Sequence, residues 1–192
     1  MMDIQNLTNL IRRRRSIFPS TYIDKKISKE KIEIILANAM WAPNHKKTEP
    51  WRFKVFSGSA LEELANFMVD KYMETTPPEK YNENKKTRIS KKILTSSHVI
   101  ALCTHRDPEE RIPEWEELAA LACSVQNMYL SCTAMNLGCY WSSPKMIIGK
   151  DAFPYLGEGE SCYGLLYIGV PVTNLPNKVE RSTMAEKVRW IT

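Results

Sequence analysis

The sequence has little glycine and no glycine-rich motif for binding phosphates. Only seven of its 192 residues are glycine, and the one cluster is Gly157-Glu158-Gly159-Glu160. This cluster matches neither G-x-G-x-x-G nor a Walker A motif, and its acidic side chains would repel a pyrophosphate. A Rossmann dinucleotide site and a P-loop are therefore excluded as the basis of function.

The spacings that metal centres and disulfide frameworks need are also missing. The five cysteines are an odd number without a C-x-x-C pair, which indicates reduced thiols that pack as small apolar groups. There are three histidines, and the stretch from His98 to His105 has no spacing typical of metal ligands. Ser142-Ser143 lacks the G-x-S-x-G context of a serine hydrolase. We expect no metal site and no catalytic triad.

No run approaches the roughly 20 uncharged apolar residues of a membrane span, so we expect no contact with a membrane. The start of the sequence meets Asp3 and then an arginine run without an apolar core. This is not the pattern of a secretory signal, and we expect a cytoplasmic protein. A length of 192 residues and an apolar content of 43% fit one domain, residues 1–192, or a protomer that completes its core by pairing.

Hydrophobic periodicity predicts the order of helices and strands. We expect helices over about 3–15, 28–40, 59–73, 113–136 and 146–153, and strands over about 52–57, 99–103, 139–141 and 164–171. A capping box at Ser59 opens the third helix. Residues 79–92 are lysine-rich and weakly periodic, which favours a mobile surface helix or lid, and residues 173–191 are predicted as an extended polar tail.

The longest predicted helix is apolar over much of its circumference. At helical spacing, we do not expect five of its apolar side chains to face one core: Leu118, Leu121, Val125, Met128 and Met135. In a chain this short, a partner subunit is therefore expected to cover one side of the helix. A monomer that buries this helix inside its own fold remains the alternative.

Two cationic segments are the candidate binding residues. Pro43 and Pro50 stiffen a loop that carries His45, between a predicted helix and a predicted strand. Cationic side chains and tryptophans on a stiff loop of this kind suit the binding of a planar, anionic small molecule. The alternative interpretation is a basic loop that is only exposed to solvent. The arginine run 12–15 lies at the predicted end of the first helix, where basic side chains interact favourably with the helix dipole. A second interpretation of this run is a small surface that binds nucleic acid.

Four segments, in order along the chain, resemble the nitroreductase family of FMN-dependent reductases. They are Arg14-Arg15-Ser16, the loop from Ala42-Pro43 to Pro50-Trp51, Gly138-x2-Trp141-Ser142-Ser143, and Gly164-x2-Tyr167-x-Gly169-x-Pro171 with Arg181 beyond it. His45-Lys46 is similar to the family's small branch of single-domain NAD(P)H-using enzymes. The resemblance implies an α+β fold with a central, mostly antiparallel sheet flanked by helices. It also implies an obligate homodimer with FMN bound where the two subunits meet.

The resemblance further implies which residues contact the cofactor. They are Arg14, Arg15, Ser16, Trp41, His45, Trp141, Ser142, Ser143 and Arg181. The arginine segment would meet the phosphate and the ring edge, the loop would border the flavin, and the Trp141 segment would lie against it from the other subunit. Lys47 and Glu49 stand where many members have Asn and Gln, and Ser142-Ser143-Pro144 departs from the Trp-Arg-Ser-Gly of the small branch. These departures leave the substrate preference open.

The implied chemistry belongs to the cofactor. Hydride would pass from NAD(P)H to the flavin and then to a nitroaromatic, quinone or related small acceptor in a ping-pong cycle, so no catalytic side chain is demanded. A flavin-binding protein without efficient turnover is one alternative. The other is a basic module that binds nucleic acid, for which affinity would fall steeply with salt. We expect a small-molecule acceptor and a second copy of the chain as partners, and no nucleic acid.

Overall fold

The computed structural model describes residues 3–172 and 180–192. Within these ranges the α-helices are α1 Ile4–Arg13, α2 Lys29–Ala39, α3 Ala60–Thr75, α4 Glu83–Leu94 and α5 Glu114–Ala134. The strands are β1 Tyr22–Ile23, β2 Trp51–Ser57, β3 His98–His105, β4 Gly138–Ser142 and β5 Glu160–Pro171. All strand pairings are antiparallel in these ranges, which confirms the predicted α+β class with a central antiparallel sheet.

The sheet is built around β5, which pairs with β3, with β4 and, at its end, with β1, while β2 pairs with β3. Side chains of a strand alternate between the two faces. β3 therefore sends Ile100 and Leu102 into a core shared with α2 and α5, and Val99 and Ala101 into a second core shared with α3 and α4. Because both faces are covered, β3 is apolar almost throughout, as the sequence predicts.

The helix α5 is buried along one side and open along the other. Leu121, Val125 and Met128 are almost fully buried within this chain, and Leu118 and Met135 pack against the same core. The expectation that these five residues cannot face one core is wrong, because α5 packs against α2 as well as the sheet and so buries a wide arc. The open side carries one tryptophan, three small residues and one glutamine: Trp115, Ala119, Ala122, Cys123 and Gln126.

Two local predictions are wrong. Residues 146–153 form no α-helix, because a 3-10 turn over Lys145–Ile147 is followed by positive φ angles at Gly149 and Asp151, which helices do not contain. Ser59 precedes α3, but its backbone is already helical and its side chain makes no capping hydrogen bond. The predicted capping box is therefore not formed.

The predicted tail lies only partly within the described residues, since Thr173 falls outside them. Residues 180–192 are exposed and contain one 3-10 turn, Met184–Glu186. In the two described ranges, no helix is both long and apolar enough to cross a membrane.

Candidate functional site

Tyr22 fixes the segment that follows α1 against the sheet. Its hydroxyl donates to the carbonyl oxygen of Ile17 at 2.8 Å. Its ring lies on Gly138 and Gly169, which face each other on β4 and β5, and a Cβ at these positions would come within 2.3 and 2.2 Å of ring carbons. Glycine at both positions permits this approach. Tyr22 thereby determines where Arg14-Arg15-Ser16 lies.

Tyr129 of α5 joins the arginine segment to β4. Its hydroxyl accepts the backbone N–H of Trp141 at 2.8 Å and lies 3.4 Å from the hydroxyl of Ser16. The guanidinium carbon of Arg14 is 5.2 Å from the centre of the tyrosine ring, a cation–π distance. Burial raises the pKa of the Tyr129 hydroxyl, so this group stays neutral. We call Arg14, Ser16, Tyr129 and Trp141 the Tyr129 corner.

The indole of Trp141 is part of the frame of this corner. Its Nε1 donates to the carbonyl oxygen of Tyr163 at 3.0 Å, and the ring packs against the core shared with α5. Gly164 has a φ of +131°, and a Cβ there would lie 2.4 Å from the carbonyl oxygen of Ser142 and 2.7 Å from Nε1 of Trp141. Only glycine lets β5 approach β4 and this indole so closely.

A cavity of about 910 Å³ lies between α3, α4, β4 and the segment after α1, and we call it the α3–α4 cavity. Ser142 lines it, as do the apolar and aromatic side chains of Phe18, Met146 and Tyr167. Five cationic residues also line it: Lys85, Arg88, Lys91, Lys92 and Lys145. The volume lies in the range of small-molecule sites.

The cations of the α3–α4 cavity lack acidic partners. Among the described residues, none of the five forms an ion pair, and none of the residues that line the cavity is acidic. The ammonium group of Lys92 is 5.5 Å from the ring centre of Tyr140, and that of Lys85 is 4.9 Å from the ring centre of Tyr72. The cavity is therefore positive and partly aromatic, which suits an anionic ligand with a flat ring.

The loop of residues 41–49 is attached to the other end of α5. Nδ1 of His45 lies 2.6 Å from Oε2 of Glu116, and the ammonium group of Lys46 donates to the carbonyl oxygen of Arg111 at 3.2 Å. Trp41 is 86% exposed. The loop thus rests on the start of α5 and on the turn before it, with its tryptophan open to solvent.

The turn under the loop is itself fixed by buried charges. Arg111 donates to both carboxylate oxygens of Asp107 at 2.9 Å, and this bidentate contact holds the pKa of Asp107 at about 2. Glu117 is buried beside it, accepts the N–H of Asp107 at 2.8 Å and pairs with Arg106 at 2.9 Å. These contacts give the 41–49 loop a rigid support.

Three residues of the loop have left-handed backbone conformations. The φ angles are +50° at Lys46, +55° at Lys47 and +41° at Glu49. Each costs roughly 1–2 kcal/mol in a residue other than glycine. The N–H of Glu49 donates to the side-chain oxygen of Asn44 at 3.1 Å, and its carbonyl oxygen accepts from Arg52 at 3.0 Å. Backbone strain held in this way is typical of functional loops.

The structure brings together five of the nine residues predicted to contact a cofactor. Arg14, Ser16 and Trp141 meet at the Tyr129 corner. Arg15 is the next residue, half-buried, and its guanidinium donates to the carbonyl oxygen of Arg14 at 2.8 Å. Ser142 follows Trp141 on β4, and its side chain points to the other face of the sheet, where it lines the α3–α4 cavity. Two of the predicted segments are therefore neighbours within one chain.

The other four predicted residues lie outside this group. Ser143 is exposed next to Ser142. His45 lies at the other end of α5, where Glu116 is 13 residues from Tyr129, or about 20 Å along the helix at about 1.5 Å per residue. Trp41 follows α2, whose Asn38 is hydrogen-bonded to Asn127 and Ser131 of α5, and its side chain is exposed. Arg181 is exposed and makes no hydrogen bond or ion pair with the residues that the structure describes.

Tyr129 is a site residue that helical periodicity does not identify. It occupies an apolar position of its helix, although the hydroxyl of a buried tyrosine needs a hydrogen-bond partner and so signals a polar contact. Composition also assigns no role to Lys145 or to the lysine-rich segment 79–92, which contains Lys92. Its place beside β4 depends on how α3 and α4 pack, which the sequence does not show.

Comparison with known proteins identifies the family. The model described as the nitroreductase family matches residues 11–148, which include the arginine segment, the 41–49 loop and the Tyr129 corner. YdjA of Escherichia coli (strain K12), whose name describes an NAD(P)H nitroreductase, is 26% identical over 145 residues, which cover 74% of this chain and 76% of that protein.

Solved structures agree with the family model. A nitroreductase-like family protein from Bacillus cereus has a TM-score of 0.80 and 28% identity, covering 100% of this chain and 98% of that chain. A nitroreductase with bound FMN from Bacteroides fragilis NCTC 9343 shares the fold, with a TM-score of 0.72 and 18% identity over 97% and 98% of the two chains. Because the family model spans most of the chain and these structures match nearly all of it, this protein belongs to the nitroreductase family.

Proposed function

We propose that the protein is an FMN-dependent NAD(P)H oxidoreductase that reduces a nitroaromatic, quinone or related small acceptor. Membership of the nitroreductase family, the name of YdjA and the FMN-bound structure from Bacteroides fragilis support this proposal. The observation in this chain that carries it is the Tyr129 corner, where Arg14 and Ser16 meet Tyr129 of α5 and Trp141 of β4. The α3–α4 cavity lies on the other face of the sheet, because Met146 and Tyr167, which line it, belong to the core shared with α3 and α4.

The residues present fit FMN in charge, shape and polarity. Arg14 and Ser16 would bind the phosphate, because a guanidinium offers forked donors and a serine hydroxyl adds another. Trp141 would border the ring from β4, and the 41–49 loop of a second copy, with Trp41 and His45, would border it from across the interface.

When bound, FMN supplies the ring that accepts and returns hydride. The chain would bind and orient it at the Tyr129 corner. Burial raises the pKa of the Tyr129 hydroxyl, so this part of the site stays uncharged. NAD(P)H and the acceptor would occupy the open face of the flavin in turn, which is a ping-pong cycle.

The proposal includes a homodimer in which the 41–49 loop of one chain meets the Tyr129 corner of the other. In one chain His45 of the loop and the corner are about 20 Å apart along α5. The open side of α5 exposes Trp115 by 67%, next to the exposed small side chains of Ala119, Ala122 and Cys123. An exposed tryptophan beside a row of small side chains supports association through this side of the helix. A twofold axis at α5 would bury Trp115 and bring each loop to the opposite corner.

The proposal excludes nucleic acid as a partner. Arg14 stacks on Tyr129 and Arg15 folds back onto the backbone, so only Arg12 and Arg13 of the arginine run are exposed. Two exposed arginines make a small electrostatic footprint. The cytoplasmic location expected from the sequence is part of the same proposal.

The test is the spectrum of the purified protein. We expect bound FMN, seen as flavin absorption, and bleaching of that absorption by NADPH or NADH without oxygen. A protein that stays colourless after incubation with FMN contradicts the proposal. A flavin that dithionite bleaches quickly, but NAD(P)H does not, would instead identify a flavin-binding protein without efficient turnover.

A further inference from the structure

Three polar atoms at one place in the interior lack hydrogen-bond partners among the residues that the structure describes. They are Nε1 of Trp51, Nη1 of Arg106 and Oε2 of Glu117. Trp51 is only 3% exposed and Glu117 only 1%. Nearly all buried polar groups of folded proteins are hydrogen-bonded, either to the protein or to ordered water. These three atoms therefore need a partner that the described chain does not supply.

The strand register and the helix spacing bring the three side chains together. Trp51, the first residue of β2, is paired with Thr104 near the end of β3, and Arg106 follows two residues after Thr104. The indole of Trp51 faces α5, because it belongs to the same core as Leu121. Glu117 is buried on α5 one helical turn before Leu121. The three groups therefore meet where the start of β2, the end of β3 and the start of α5 come together.

The carboxylate of Glu117 is satisfied on one side only. Its Oε1 accepts the N–H of Asp107 at 2.8 Å and lies 2.9 Å from Nη1 of Arg106. The contact with Arg106 is an ion pair without the angles of a hydrogen bond, so this nitrogen still lacks an acceptor. Within the described ranges, Oε2 receives no donor at all. A buried carboxylate oxygen in this situation needs a donor, because leaving it unsatisfied destabilises the fold.

The polarity of the three atoms determines which kind of molecule can satisfy them. The indole N–H of Trp51 and the guanidinium N–H of Arg106 need an acceptor, whereas Oε2 of Glu117 needs a donor. A cation cannot accept from the indole or the guanidinium, and the carboxylate of Glu117 would repel an anion. A small neutral molecule that both donates and accepts satisfies all three. Water is the smallest such molecule, and a buried water typically makes about three hydrogen bonds to groups of this kind.

We infer that a buried water molecule binds between Trp51, Arg106 and Glu117. The water accepts hydrogen bonds from Nε1 of Trp51 and from Nη1 of Arg106, and it donates one to Oε2 of Glu117. It thereby completes the hydrogen bonding of a carboxylate, a guanidinium and an indole that the fold has buried together.

The water gives the 41–49 loop a second attachment to α5. On the outer side of the loop, Nδ1 of His45 lies 2.6 Å from Oε2 of Glu116. The chain enters β2 at Trp51 soon after the loop, and the water links this residue from the inside to Glu117, the next residue of α5. The site involves no cofactor, so the inference does not depend on the proposed function.

Nuclear magnetic resonance of the full chain with isotope-labelled tryptophan tests for the water in solution. The indole N–H of Trp51 should show a nuclear Overhauser effect to water with the sign of a long-lived complex, and rotating-frame spectra separate this transfer from chemical exchange. Trp141 is the matched control, because its Nε1 donates to the carbonyl oxygen of Tyr163 at 3.0 Å. The variants Trp51→Phe and Trp141→Phe assign the two signals. A Trp51 signal with no more transfer from water than that of Trp141 overturns the inference.

Two substitutions of Glu117 test the acceptor. Glu117→Gln keeps a polar group of the same shape and should retain the water signal at Trp51, whereas Glu117→Leu should abolish it. A signal that persists in the leucine variant contradicts the bridge. If that variant does not fold, a crystal structure of the wild-type protein decides. Density for one water within about 3.2 Å of Nε1 of Trp51 and of Oε2 of Glu117 supports the inference, and a direct hydrogen bond between these two groups, or empty space between them, refutes it.

Discussion

The Tyr129 corner and the 41–49 loop both belong to the candidate site, but they are built in opposite ways. In the corner, the hydroxyl of Tyr129 is hydrogen-bonded, Arg14 stacks on its ring, and Gly164 lets the strands approach. In the loop, three successive or near-successive residues have positive φ, and Trp41 is almost fully exposed. The contacts of the corner are made within one chain, whereas the loop has strained backbone and an exposed tryptophan.

The difference shows how one helix can serve two halves of a site. Both regions are anchored to α5, the loop through Glu116 and the corner through Tyr129, so their separation is set by a rigid element. In the proposed homodimer, a second copy would bring the loop of one chain to the corner of the other. The rigid half would hold the cofactor, and the exposed half would complete it from across the interface.

The largest expected effect comes from breaking the contact between copies. Ala122→Glu places a carboxylate on the open side of α5, where a twofold partner would bury it without a counter-ion. We expect association to weaken by about 3–5 kcal/mol, as for an uncompensated buried charge, and FMN retention to fall with it. Sedimentation and flavin absorption at the same protein concentration measure both.

Asn66→Glu is the control, since it introduces the same charge on the exposed face of α3, on the other side of the sheet. It should remain a dimer with bound FMN. A monomeric Ala122→Glu protein that keeps FMN and full turnover would show that one chain is sufficient and that the loop and the corner never meet.

The next largest effect comes from disturbing the frame of the corner. In Gly164→Ala the new Cβ would lie 2.4 Å from a backbone oxygen, and alanine tolerates the φ of +131° poorly. We expect a loss of about 2–4 kcal/mol in the free energy of unfolding, from overpacking and backbone strain together. Urea denaturation measures it.

Gly58→Ala is the matched control, because Gly58 also has a positive φ but no atom lies within 4 Å of the added Cβ. It should cost only about 1–2 kcal/mol, the backbone term alone. Equal losses in the two variants would mean that the approach of β4 and β5 at Gly164 contributes nothing.

A smaller effect is expected for the cation of the corner. Arg14→Ala removes a charge-assisted contact to FMN and should weaken its binding by about 1.5–3 kcal/mol, and Arg15→Ala by a similar amount. Fluorescence titration with FMN measures the affinity. Arg12→Ala, an exposed arginine of the same run, should change it little. If all three variants bind FMN like wild type, the run is only a solvated helix end.

The smallest effect is expected in the loop. Glu116→Gln removes the carboxylate that contacts His45, and a partly exposed pair of this kind stabilises a protein by only about 0.2–1 kcal/mol. The free energy of unfolding, measured by urea denaturation, should therefore change by less than about 1 kcal/mol. The control Glu62→Gln, on the exposed side of α3, should show a change of the same size. A loss as large as that of Gly164→Ala would show that the loop is as integral to the fold as the corner.

Much of the fold follows from local patterns. Pro113 precedes α5, and Gly138 follows the turn at the end of this helix. The apolar run of β3 indicates a strand that is covered on both faces. Ser28 immediately precedes α2. The prediction for 146–153 was wrong because Gly149 pairs with Cys162 of β5, a long-range contact that overrides local helical periodicity.

For the candidate site, too, some features follow from the sequence and others only from the tertiary structure. The four motif segments, the cationic character of the loop and the arginine run, and the lysine-rich stretch 79–92 are all present in the sequence alone. Only the tertiary structure places Tyr129 at the meeting point of two segments, and only it puts Lys85 and Arg88 on a cavity wall while Lys86 faces away. The physical reason is that propensity and periodicity depend on neighbours along the chain, whereas unpaired charge and open apolar surface depend on which elements pack together.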